Sequence, residues 1–91
     1  MLGYTSKQLK EHLDKQGMDW DKHDIDHKVP MSWFKQNTPP HLVNALVNLQ
    51  PLTPLKNRKK LNKFCSPTPK SYIVKINPWI KEQYLSMLIV E

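Results

Sequence analysis

The sequence predicts a small α+β domain, with a strand–strand–helix middle and a helical segment on either side. Three observations predict it. Apolar residues recur at helical spacing near both ends, two short stretches in the middle read as extended chain, and Thr-Pro pairs at 38–39 and 53–54 mark helix starts. Ninety-one residues make one domain near the lower end of what folds unaided. Within it, residues 1–20 form an N-terminal helical segment, 24–64 the core, and 66–91 a C-terminal extension.

The first helix is expected over residues 5–16. Thr5 and Gln8 have capping-box spacing, and Tyr4 and Leu9 sit where a hydrophobic staple would clasp. Leu9 and Leu13 fall on one face, and Gly17 supplies a natural stop. From 24 to 32 the chain reads as extended: Ile25 and Val29 are β-branched and Pro30 forbids a helix through it. Trp33 and Phe34 follow as core anchors, with Trp20 and Trp79 placed in the core as well. Thr38 as cap and proline at the first helical position open a short helix over 41–46, and 47–52 is the second strand.

Thr53-Pro54 repeats that device, starting a helix that runs to about residue 64 with Leu55, Leu61 and Phe64 toward the core. Residues 66–70 read as a proline-rich linker, and 72–76 as a third strand or merely an extended segment. Asn77-Pro78 opens a last helix carrying Trp79, Ile80, Tyr84, Met87 and Leu88 at core-facing spacing.

Composition narrows the function. The formal charge is +6 and the isoelectric point about 9.6, which favours an anionic partner, most commonly nucleic acid. The longest apolar run, 87–90, is far short of the ~20 residues that span a bilayer, so no membrane partner is expected. Cys65 is the lone cysteine, which excludes an intrachain disulfide and a four-cysteine structural zinc site. With no export signal at the start, a cytoplasmic location is the expectation.

The titratable and amide residues of the middle fall at telling places. Asp26 and His27 are adjacent on the first strand, Asn48 opens the second, and Asn57 lies in the first turn after Thr53. If the strands pair and the helix folds back, Asp26 and Asn57 converge. His27 alternates to the other face of the strand and would need a bend or bulge to join them. Taken singly, each residue has an ordinary explanation: asparagine is common at turns, and a lysine run is usually a solvated helix face. His12, His23 and His41 show no clear ligand spacing; His23 stands four residues before His27, but in extended chain.

The blocks Asp-His-Lys-Val-Pro (26–30), Asn-Leu-Gln-Pro-Leu (48–52) and Lys-Asn-Arg-Lys-Lys (56–60) together resemble the HNH endonuclease family, in the short form carried by bacteriophages and mobile elements. Gly-Tyr-Thr (3–5), Leu-Lys-Glu-His-Leu (9–13) and Gly-Met-Asp-Trp (17–20) resemble the segment that precedes the motif there. The likeness covers roughly the first two-thirds of the chain.

That resemblance implies a ββα-metal core and metal-dependent cleavage of DNA, as a nick or a double-strand cut. It implies one divalent cation, magnesium or manganese, held by Asp26 and Asn57, and no structural zinc. His27 would be the general base; an imidazole's ordinary pKa of ~6.5 suits proton transfer near neutral pH. Asn48 would orient that base by hydrogen bonding across the hairpin. Lys56, Arg58, Lys59 and Lys60 would hold the DNA backbone.

The implied partners are DNA and, for a phage protein in its host's cytoplasm, a larger phage or host assembly. Two departures stand out: many relatives have histidine at the position of Asn57, and Asp24 stands where they often have histidine. The competing reading is a non-catalytic HNH scaffold that grips nucleic acid or a host protein.

Overall fold

The computed structural model describes residues 3–60 and 67–88. Its elements run, in order, α1 (Ser6–Lys15), β1 (Asp24–His27), α2 (Pro40–Val43), β2 (Leu49–Leu52), α3 (Pro54–Lys60) and α4 (Lys70–Ile76). Short 3-10 turns at Met31–Trp33, Leu46–Asn48, Asn77–Trp79 and Glu82–Met87 join them. The result is an α+β fold around a two-stranded antiparallel sheet.

The capping box at the start of α1 is complete. Thr5 Oγ1 accepts from the Gln8 N–H at 3.1 Å, and Gln8 Oε1 accepts from the Thr5 N–H at 2.8 Å. Gly17 ends the helix at φ +82°, a left-handed conformation that costs other residues a Cβ clash. Leu13 is fully buried. Gln16 Nε2 donates to the Leu49 carbonyl at 3.2 Å, and a ring nitrogen of His12 lies 3.3 Å from the same oxygen. Helix α1 is thereby pinned to the start of β2.

Strands β1 and β2 pair in unbroken register, Asp24 with Leu52, Ile25 with Pro51, Asp26 with Gln50 and His27 with Leu49. Thr53 caps α3: its Oγ1 accepts from the Lys56 N–H at 3.2 Å and its carbonyl from the Asn57 N–H at 2.9 Å. Asn57 therefore sits in the first turn, as the Thr-Pro pair predicts.

The core is built from the chain after β1 and the C-terminal segment. Val29, Trp33, Phe34, Tyr72, Ile73, Ile76 and Ile80 are buried together, with Leu42, Val43, Ala45, Trp79, Tyr84 and Leu88 packed around them. Trp33 stacks on Tyr84 with ring centroids 4.7 Å apart. The C-terminal segment is stitched to the chain after β1. Phe34 and Ile80 form an antiparallel bridge, Lys35 N donates to Trp79 O at 2.7 Å, and Lys81 N to Trp33 O at 2.9 Å.

Several expectations are corrected. Residues 72–76 are helical in α4, not extended: Tyr72, Ile73 and Ile76 share one helix face and bury it, which outweighs their β preference. The expected last helix is instead two 3-10 turns flanking the extended Ile80. The helix expected at 41–46 is the single turn Pro40–Val43, and Thr38 does not cap it; its hydroxyl donates to the Lys35 carbonyl at 2.6 Å.

Leu55 and Trp20 are not core. Leu55 is exposed on α3, and Trp20 lies on the surface with its indole N–H donating to Asp14 at 2.8 Å. Leu61, Phe64 and Cys65 lie outside the described residues. Among the described residues no helix is long and apolar enough to cross a membrane.

Candidate active site

The end of β1, the turn after it and the first two turns of α3 surround a cleft of about 370 Å³, lined by Asp26, His27, Asn57 and Lys60 among others. Asp26, His27 and Asn57 thus share one cavity. The bulge expected between the first two is absent, since the pairing is regular through His27. His27 is the last residue of β1, and the cleft opens around the strand's end, where residues of both faces reach it.

Asp26 is 8% exposed, a burial that a carboxylate tolerates only with partners. Gln50 and Lys60 supply them. Gln50, directly opposite in the ladder, donates from Nε2 to Oδ2 at 2.9 Å. Lys60 places its ammonium 3.3 Å from Oδ2 and 3.5 Å from Oδ1. The same ammonium donates to the His27 backbone carbonyl at 2.8 Å.

This corrects the role expected of Lys60. It is 7% exposed and turned inward, whereas Lys56, Arg58 and Lys59 stand exposed on α3 as a solvent-facing cationic surface. Helical phase turns Arg58 and Lys59 away from the face that Lys60 shares with Asn57; Lys56 is on that face too, but one turn earlier, where it stays exposed.

His27 is held by a residue the sequence did not single out. Its Nε2 lies 2.7 Å from Oδ1 of Asn44, at the end of α2. The Asn44 carbonyl in turn accepts from the Tyr4 hydroxyl at 2.7 Å, a contact whose burial pushes the Tyr4 phenol up.

Asn48, expected to orient the base, does not touch it. Its side chain is fully buried and serves the backbone: Oδ1 accepts from Val29 N–H at 2.8 Å, and Nδ2 donates to Val43 O at 2.9 Å and to Val29 O at 3.4 Å. It clamps the turn after β1 to the segment bearing Asn44, so it shapes the surroundings of His27 without contacting the ring. No sequence signal separates Asn44 from the other asparagines. Gln50 could have been found as the cross-strand partner of Asp26.

Two other histidines are structural: His12 lies against Leu49 O, and His23 Nδ1 accepts from the Asp19 N–H at 2.8 Å. Asp24 is exposed. A second depression, about 460 Å³, separates α1 from α2, with Tyr4, Glu11, His12 and His41 on its walls.

Among the described residues no group of three or more His, Cys, Asp or Glu is placed to hold a metal ion. Asp26 and Asn57 offer two hard oxygen donors on one cleft, a set suited to a cation that keeps most of its waters. The positive charge that lies against Asp26 is the Lys60 ammonium. Comparison with models of known protein families, with curated proteins and with solved structures finds no match.

Proposed function

We propose that this chain is a metal-dependent endonuclease of HNH type that hydrolyses phosphodiester bonds in DNA. The observation that carries the reading is the meeting of Asp26, His27 and Asn57 in one cleft, at the junction of an antiparallel hairpin and a capped helix. The net charge of +6 and the exposed Lys56, Arg58 and Lys59 on the same helix favour a polyanionic substrate.

In this reading Asp26 and Asn57 hold one divalent cation, magnesium or manganese, which when bound supplies positive charge to the phosphate and leaving oxygens. The His27 imidazole, held by Asn44, takes a proton from the water whose oxygen bonds to phosphorus. The bond from phosphorus to the leaving sugar oxygen breaks as that oxygen gains its own proton from solvent. Gln50 keeps the Asp26 carboxylate turned to the cleft. Lys56, Arg58 and Lys59 bind backbone phosphates, which gives affinity without sequence.

Incubating supercoiled plasmid with the purified chain and Mg²⁺ or Mn²⁺ tests this directly. Relaxed or linear product that disappears in His27→Ala is the expected result. No product with either ion, or full activity in His27→Ala, overturns the assignment. A non-catalytic scaffold is the second reading, favoured by the Lys60–Asp26 ion pair, which satisfies Asp26 within the protein. Salt-dependent DNA binding unchanged by chelator, without cleavage, would establish it.

A further inference from the structure

The position of Lys60 has a consequence for how the cleft takes up an ion. Its ammonium rests on three oxygens, Asp26 Oδ1, Asp26 Oδ2 and the His27 carbonyl, at 3.5, 3.3 and 2.8 Å. Both side chains of the pair are nearly out of solvent, at 6% and 9% exposure. Screening there is weak, so a second positive charge on the same carboxylate would be strongly repelled. Lysine is a compact point charge on a flexible stem, able to leave without moving the helix that bears it.

We propose that Lys60 is the resident cation of the Asp26 site, and that its ammonium and a divalent ion occupy this site in alternation. The inference rests on the reading that Asp26 and Asn57 receive a divalent cation. It adds that metal uptake is an exchange, in which the ion displaces an internal counter-charge. Intrinsic affinity for the ion is therefore set as much by Lys60 as by the oxygen donors, since anything holding the ammonium over Asp26 weakens the ion by the same factor.

Mn²⁺ binding to the full chain without DNA, read from the free-ion electron paramagnetic resonance signal, tests the exchange. Lys60→Gln removes the charge and should bind Mn²⁺ about tenfold or more tighter than wild type, whereas Lys60→Arg, which keeps it, should stay within about threefold. Asp26→Asn added to Lys60→Gln should abolish the gain. Equal or weaker binding by a folded Lys60→Gln overturns the proposal.

Should that variant fail to fold, wild type alone still decides. Lys60 in the metal-free protein should resist acylation by an amine reagent and should label about fivefold faster once Mg²⁺ is added, read by peptide mass spectrometry. An unchanged labelling rate overturns the exchange.

The two levels of the reading fail separately. Tightened Mn²⁺ binding with no plasmid cleavage upholds the exchange and overturns the nuclease. Cleavage with unaltered Mn²⁺ affinity does the reverse. No Mn²⁺ bound by either protein overturns both.

Discussion

His27 and Asn44 are joined across the cleft wall by a 2.7 Å contact between Nε2 and Oδ1, although seventeen residues separate them in the chain. An amide oxygen only accepts, so Nε2 carries the ring hydrogen and the lone pair is left on Nδ1. Asn44 is itself held from behind by the Tyr4 hydroxyl. The N-terminal segment, the end of α2 and the last residue of β1 therefore form one chain of contacts that fixes an imidazole.

Replacing Asn44 with Leu should release that ring. The expected outcome is a mixture of His27 tautomers by ¹⁵N NMR and a fall in plasmid-cleavage kcat of about 10- to 100-fold, with KM little changed. Asn44→Asp, which keeps an acceptor oxygen at the same distance, should restore the single tautomer.

Asn48→Ala should behave differently. It leaves the buried Val29 N–H and the part-buried Val43 carbonyl without their partner, at a cost of about 2–4 kcal/mol. Urea denaturation should show stability falling by that amount, and cleavage should decline in step with the folded fraction.

The exposed cations of α3 should govern affinity and its salt dependence. Substituting Lys56, Arg58 and Lys59 with Ala should flatten the slope of log K against log salt by about 0.9 for each phosphate no longer neutralised. Fluorescence anisotropy with a short duplex at several salt concentrations measures this. A slope equal to wild type would remove these side chains from the proposed contact with DNA.

Tyr72 gives an alkaline signature. Its hydroxyl donates to the Leu42 carbonyl at 2.6 Å, and burial pushes its phenol well above the ordinary range. A raised acid favours the protonated fold, so its contribution is complete below the unfolded phenol's pKa near ~10 and is lost as pH rises through the folded value. Stability measured by denaturant should therefore decline above pH ~10 in wild type, and less steeply in Tyr72→Phe. At neutral pH that variant should lose about 1–2 kcal/mol for the orphaned carbonyl.

What the sequence discloses and what it hides follow from range. The capping box of α1, the stop at Gly17 and the Thr53-Pro54 start of α3 are local devices, readable because residues three or four apart decide them. Asp26, His27 and Asn57 are legible as blocks in register, and their meeting in one cleft needs only the hairpin and the fold-back of α3.

Tertiary contacts hide the rest. Tyr72 to Ile76 has β character along the chain, and only its packing against Val29, Trp33 and Phe34 makes it a helix. Asn44 meets His27 through the path of α2, which no spacing announces. Lys60 is the middle case: its phase with Asn57 sets it and Lys56 apart from Arg58 and Lys59, and only the packing of α3 on the hairpin decides which of the two turns inward.

The bridge between Phe34 and Ile80 bears on how the protein folds. The chain that leaves the hairpin, at Val29, Trp33 and Phe34, is buried in a core whose other wall is contributed by residues 72–80, so the contacts that anchor it are distant in sequence. Such a domain closes loops before it gains burial, and an isolated two-stranded hairpin is marginal in water. The hairpin of the candidate site should thus appear only when the last third of the chain arrives, in one cooperative step. Deletion of residues 78–91 should leave an unfolded chain by circular dichroism. A lesion in that far segment, none of whose described residues lines the cleft, would then silence the site by preventing its assembly.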